Sequence, residues 1–234
     1  MALERTPEPE LMDGLEQVRA YGAADFNDSD QAMCERLVEL CGGDPGPRLV
    51  DLGCGPGNIT FRLARRWPDA AVLGLDGAPQ MLAVARQRAA IEPELAGRLL
   101  FEQALLPLVD PGEREGAFSM VVSNSLLHHL HDPAVLWRAV AELAAPGAFV
   151  YIQDLRRPAS AEAVEALVAA EMAGAPEVLR RDYRASLHAA FTVAEVHAQL
   201  ERAALEQACL AGLQVAPRQE RYLEVWGRLG LAWS

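Results

Sequence analysis

A doubly wound, mostly parallel α/β sheet is the fold class this 234-residue sequence predicts. Three observations carry it. The short apolar run Leu49-Val50-Asp51-Leu52 turns on Gly53, Gly55 and Gly57 and feeds a helical pattern from Asn58. Strand, glycine turn and helix bring backbone N–H groups and a helix N-terminus close to a ligand, and glycines remove the Cβ atoms that would block the approach. A second apolar run, Ala71 to Leu75, ends on Asp76, where a βαβ unit places an acidic residue beside a bound ribose. Apolar runs and helical patterns then keep alternating as far as Asp154.

In chain order, Leu11 to Tyr21 and Gln31 to Cys41 carry helical periodicity before the first strand. The first helix of the core should run from Asn58 to Arg66 and stop at Pro68; the second should run from Pro79, in the first turn, to Ala90. Arg98–Glu102 reads as strand three, Phe118–Ser123 as a buried strand four, Ala134–Ala144 as a helix, and Ala148–Asp154 as strand five. After Pro158 the alternation lapses into helices over Ser160–Ala173 and Glu177–Ala190. A third starts at Thr192, whose spacing to Glu195 makes a capping box. Ala203 to Val215 is ambiguous between continued helix and strand, and Arg221–Trp226 alternates as a final strand.

The glycine spacing departs from the dinucleotide fingerprint G-x-G-x-x-G/A, because Asn58 stands at the third place and the glycine falls one earlier. The pattern D-L-G-C-G-P-G followed by G-L-D-G-A-P-Q-M-L resembles the class I S-adenosylmethionine-dependent methyltransferases, over about Arg48 to Asp154, roughly half the chain. That resemblance implies a seven-strand Rossmann-like sheet with the last strand antiparallel, and favours a strand near Leu213. It also implies one domain: a helical cap over residues 1–45, a cofactor core over 46–154, a helical lid over 155–205 and C-terminal strands over 206–234.

Composition excludes several classes. A net charge of −12, with no run of basic residues, argues against nucleic acid. All 21 basic residues are arginine. No apolar run reaches membrane-spanning length and the start does not read as a signal peptide, so a cytoplasmic protein is expected. The four cysteines show no metal spacing and read as reduced thiols; no metal is expected. Oligomeric state is left open, a homodimer included.

The resemblance carries S-adenosyl-L-methionine as cofactor and a small-molecule acceptor. Asp51, Gly53, Cys54, Gly55 and Gly57 should shape the cofactor loop, Asp76 and Gly77 meet the ribose, and Met81, Gln103 and Ala104 flank the adenine. Many family members have an acidic residue near Ala104; this chain does not. Asn124 is placed for the methionine part, and Tyr21 either covers the sulfonium or packs the cap, as does Phe26. His128 and His129, in the run after strand four, are candidate general bases, since a neutral imidazole can take the proton of an acceptor; packing under the loop is the competing reading. Asp154, Arg156 and Tyr183 are candidate acceptor contacts. Other functions stay open: a non-catalytic protein that binds the cofactor or S-adenosylhomocysteine, a nucleotide-dependent oxidoreductase, and an enzyme using a modified cofactor.

Overall fold

The computed structural model describes residues 3–230. Its centre is a seven-strand sheet in the order β3-β2-β1-β4-β5-β7-β6. The strands are β1 (Arg48–Leu52), β2 (Ala71–Asp76), β3 (Leu99–Gln103), β4 (Phe118–Asn124), β5 (Ala144–Leu155), β6 (Gln214–Arg218) and β7 (Tyr222–Arg228). Neighbours from β3 to β5 are parallel, and β7 runs antiparallel to both β5 and β6. The chain reverses its direction of travel across the sheet between β1 and β4, which opens a crevice at their carboxyl ends.

Alternation of side chains along the strands builds two cores. Val50, Val121, Val150 and Ile152 face α5 (Ala134–Leu143) and α8 (Val193–Glu206), around the fully buried Trp137. Leu49, Met120, Val122, Phe149 and Tyr151 face α2 (Asn27–Cys41), α3 (Asn58–Arg66) and α4 (Pro79–Ala89). A sheet buried on both faces needs nearly continuous apolar strands, which is what these runs supply. A third cluster joins Leu155 to α6 (Ala161–Glu171) and α7 (Glu177–Ala189), beyond the strand ends. α1 (Leu15–Ala23) packs Val18 on Ala78 and Met81, above the crevice.

Local chemistry sets the boundaries. Gly57, at φ +87°, precedes α3, where a Cβ would strike Phe61 and Phe101 at 2.9 Å. Pro79 starts α4, and Ser160 caps α6 by accepting from the Ala163 N–H. The Thr192–Glu195 capping box forms at the start of α8 in both directions. Glu195 also receives the Arg157 guanidinium at 2.6 Å.

Three boundaries differ from the sequence expectation. α1 starts at Leu15 and not Leu11, because Leu11 and Met12 lie outside the helix and line the crevice. β5 begins at Ala144 and passes through Pro146-Gly147: a register shift between Phe118 and Met120 makes room for the proline, and Gly147 takes φ +79°. The ambiguous stretch after Ala203 divides in three, with α8 ending at Glu206, a 3-10 turn over Ala208–Gly212, and then β6. Among the described residues no helix is long and apolar enough to cross a membrane.

The capping box gives a test of the C-terminal half. Thr192→Ala should lower the free energy of unfolding by about 1 kcal/mol at unchanged denaturant slope. A loss within the error of a urea titration would show that the side-chain cap adds nothing there.

Candidate active site

The crevice is a cavity of about 480 Å³, within the range of roughly 300–1,000 Å³ usual for small-molecule sites. Its floor is the glycine turn. Gly53 and Gly55 take φ +69° and +52°, and the N–H groups of Gly53 and Cys54 both donate to the Leu75 carbonyl, at 2.8 and 3.0 Å. Asp76 closes the turn from the next strand: its Oδ2 accepts from Gly55 N–H at 2.7 Å and its Oδ1 from Ala78 N–H at 2.7 Å. Burial pushes the Asp76 carboxyl up, and the two N–H donors offset that in part.

Beneath the turn lies Asp51, 1% exposed, accepting from Thr60 Oγ1 at 2.7 Å. Burial, only partly offset by that hydrogen bond and reinforced by the charge of Asp76, pushes its carboxyl up to about 7. Cys54 is buried, and burial holds its thiol well above the ordinary range, so it is no nucleophile. Met81, Gly77, Ala104 and Leu105 line the cavity, together with Asn124, Tyr21 and His129.

A smaller chamber of about 130 Å³ adjoins it, sharing Met12, Tyr21, Phe26, Ser125 and His129 as lining. His128 and Tyr183 line the smaller chamber and not the larger; Arg221 lines the smaller chamber and a neighbouring cavity that includes Glu171. Ser125, between the two, has φ +57°, a conformation rare for a residue with a side chain. The loop is held from behind by Asp154, 1% exposed, which accepts from the Leu127 N–H at 2.7 Å and, at Oδ1, from His128 Nδ1 at 2.6 Å.

Glu8 completes the polar cluster. Its Oε1 lies 3.5 Å from His128 Nε2 and 3.3 Å from His129 Nδ1. Burial raises the Glu8 carboxyl. Burial alone would lower His128, but the Asp154 carboxylate, the hydrogen bond to it and Glu8 outweigh burial and raise it. His129 is held well below the ordinary histidine range by burial and then by the neighbouring His128, so its imidazole is neutral near pH 7. The ligand atoms of Glu8, His128 and His129 lie within 4.8 Å of one another, a spacing open to a metal as well as to a proton.

The segment bearing Glu8 is strapped down along its length. Thr6 N–H donates to the His188 carbonyl at 3.0 Å, and Arg5 donates to the carbonyls of Ala189, His128 and Leu130 while stacking on Phe191 at 4.0 Å. His131 receives the strap through the Glu8 carbonyl and the Glu10 carboxylate, both at 2.8 Å.

Most of the expected cofactor residues meet around the larger cavity: Asp51, Gly53, Cys54, Gly55, Asp76, Gly77, Met81, Ala104, Asn124 and Tyr21. Gly57 faces the core instead, and Gln103 stands outside, donating to the Gly77 carbonyl at 3.1 Å. Two expected acceptor contacts are placed elsewhere. Asp154 is sealed behind His128, and Arg156 turns away to the carbonyls of Gln219 and Glu220. Glu8 escaped the sequence reading, as did the site positions of Leu11 and Met12. A Pro/Glu-rich start has no periodicity to place it, and only the fold brings it over the crevice.

The fold and this crevice define a Rossmann-like domain with a cavity at the carboxyl ends of its parallel strands. Residues 50–150 match the family model described as a methyltransferase domain. A trans-aconitate 2-methyltransferase of Methylobacterium nodulans is 42% identical over 106 residues, 45% of this chain and 37% of that protein. One from Streptomyces coelicolor is 40% identical over 110 residues, 47% of this chain and 35% of that protein. The matches to these curated relatives thus span little more than a third of their length. Among solved structures, the plantazolicin methyltransferase BpumL with S-adenosylhomocysteine (SAH) and a desmethyl analogue superimposes with TM-score 0.70 at 14% identity, over 92% of this chain and 90% of that one. A methyltransferase structure from Methanococcus maripaludis gives 0.67 at 15% identity, over 98% of both chains. Over residues 50–150 this chain is thus similar to methyltransferase domains, and its fold is the one those solved methyltransferases share.

Asp51 supplies a pH test. A folded-state value near 7 means the native protein keeps a proton that the unfolded chain releases above about 3.9. The contribution of Asp51 to stability is therefore greatest below that pH, falls as pH rises towards 7, and is flat above. Asp51→Asn should remove that slope, so its stability relative to wild type rises between about pH 4 and 7. Parallel stability curves for the two proteins would contradict the assignment.

Proposed function

We propose that this protein transfers a methyl group from S-adenosylmethionine to a small-molecule acceptor. The observation that carries the reading is Asp76, aimed into a 480 Å³ cavity beside a glycine turn that it holds itself. The cofactor, when bound, supplies an electrophilic methyl group on a sulfonium. Everything else is binding and alignment, because bringing a reacting pair to contact distance accounts for much of such a barrier.

Asp76 has lone pairs left, beyond its two backbone bonds, for ribose hydroxyls, and a charged acceptor holds them better than a neutral one. Asp51 braces the turn through Thr60 rather than touching the ligand. Met81, Ala104 and Leu105 offer an apolar slot for an adenine. With no acidic residue at Ala104, its amino group must be met by backbone, and Gln103 fixes that backbone by holding Gly77. Asn124 faces the amino-acid end, while Tyr21 and Met12 cover the junction of the two chambers.

His129 lines both chambers and is neutral, so it is placed to take the acceptor's proton. Its Nδ1 is buried 3.3 Å from Glu8 Oε1, so the proton goes to Nε2 and the Glu8 carboxylate stabilises the imidazolium. His128, anchored by Asp154, positions this pair. The names of the curated relatives make trans-aconitate one acceptor to test. The four unpaired cysteines support a cytoplasmic setting.

Kinetics with labelled cofactor would test these roles. Asp76→Ala should raise the KM for S-adenosylmethionine by about tenfold or more, since hydrogen bonds to a charged group contribute about 1.5–3 kcal/mol. His129→Gln should lower kcat by about a hundredfold and leave that KM unchanged. An unchanged cofactor KM in folded Asp76→Ala would refute the ribose assignment, and wild-type kcat in His129→Gln would refute the base.

A further inference from the structure

We infer that the acceptor is an uncharged molecule the size of one six-membered ring, carrying a single ionisable hydroxyl, and not a polycarboxylate. The inference rests on the methyltransferase reading and extends it to the smaller chamber.

Size comes first. The chamber holds about 130 Å³, and an apolar cavity of about 150 Å³ is enough to bind benzene. A two-ring compound would need the walls to move. Those walls are largely packed: Leu155, Leu179 and Tyr183 are each less than 9% exposed, and Leu155 and Tyr183 join the cluster around α6 and α7.

Lining comes second. Phe26, Tyr21, Tyr183 and Tyr222 present aromatic faces, and Met12 and Met172 present thioethers, surfaces that favour a ring. The Tyr21 and Phe26 rings already lie 5.7 Å apart and tilted, at the mouth shared with the cofactor cavity.

Charge comes third and decides against an anion. Among the described residues Arg221 is the only arginine lining the chamber, and the chain has no lysine. Arg221 is already committed: Nη1 lies 2.6 Å from Glu171 Oε2, and its guanidinium stacks on Tyr222 at 4.7 Å. The other basic group lining the chamber, His128, is likewise taken up, by Asp154 at 2.6 Å and Glu8 at 3.5 Å. A carboxylate buried here would find no free cation, and an unpaired buried charge is strongly disfavoured. A polycarboxylate would multiply that cost.

The base for the hydroxyl proton is His129, which lines both chambers; the hydroxyls of Ser125, Ser186 and Tyr183 also line the smaller one. In the transfer the acceptor oxygen forms its bond to the methyl carbon and the carbon–sulfur bond breaks, its electron pair staying on sulfur. The hydroxyl proton goes to His129, beside Glu8. The products are a methyl ether and a neutral thioether, with one proton released.

The test pairs binding with turnover. Wild-type protein is first titrated with SAH, and the complex is then titrated calorimetrically with phenol, catechol, 2-naphthol and trans-aconitate. The same compounds are assayed with labelled S-adenosylmethionine. Single-ring phenols should bind the complex and be methylated with kcat/KM at least a hundredfold above that for trans-aconitate, and 2-naphthol should fail. Leu179→Trp, which fills the chamber, should abolish phenol binding while leaving SAH affinity within twofold. Glu171→Gln, which frees Arg221, should raise the affinity for salicylate about tenfold over wild type. Binding of SAH with no binding of any single-ring phenol, or preferential methylation of trans-aconitate or 2-naphthol, overturns the acceptor class alone. Failure to bind SAH overturns the methyltransferase reading as well.

Discussion

The carboxylate of Asp76 is the constraint on which the site depends. It accepts from Gly55 on one side and Ala78 on the other, so one side chain ties the turn after β1 to the start of α4. Burying a carboxylate is costly, and the cost is tolerable only because both oxygens meet N–H donors. The glycines then follow as a consequence. Gly53 and Gly55 must adopt left-handed conformations for their N–H groups to reach Leu75 and Asp76, and only residues without a Cβ do so cheaply.

A second carboxylate does the same work on the opposite wall. Asp154 leaves β5 buried and fixes the loop after β4 through Leu127 and His128. The loop in turn offers its carbonyls to Arg5, so the N-terminal strap lies over the crevice with Glu8 against the two imidazoles. Two carboxylates at two strand ends thus shape the two chambers, and His129 stands where they meet.

How far the sequence reveals this arrangement depends on how local each determinant is. The glycine turn, Asp76 and the boundaries of α3 and α4 are written in neighbouring residues, through apolar runs, Pro79 and Pro68. The capping box at Thr192 is equally local. Glu8 is not: nothing near it in the chain indicates that Arg5 will reach the carbonyls of His128 and Leu130, more than a hundred residues away. Asp154 illustrates the converse error. Its position at a strand end suggests a ligand contact, yet the loop it anchors folds over it and leaves it 1% exposed. Arg156, two residues later, is drawn off by the carbonyls of the β6–β7 turn, a partner visible only once β7 is known to pair with β5.

Calorimetric titration of the purified protein with S-adenosylhomocysteine, with NAD as control, tests the central claim most directly, because it asks only what the crevice beside Asp76 holds. The account predicts one S-adenosylhomocysteine per chain and no measurable heat from NAD. Binding of NAD alone, or of neither ligand to folded protein, would contradict it.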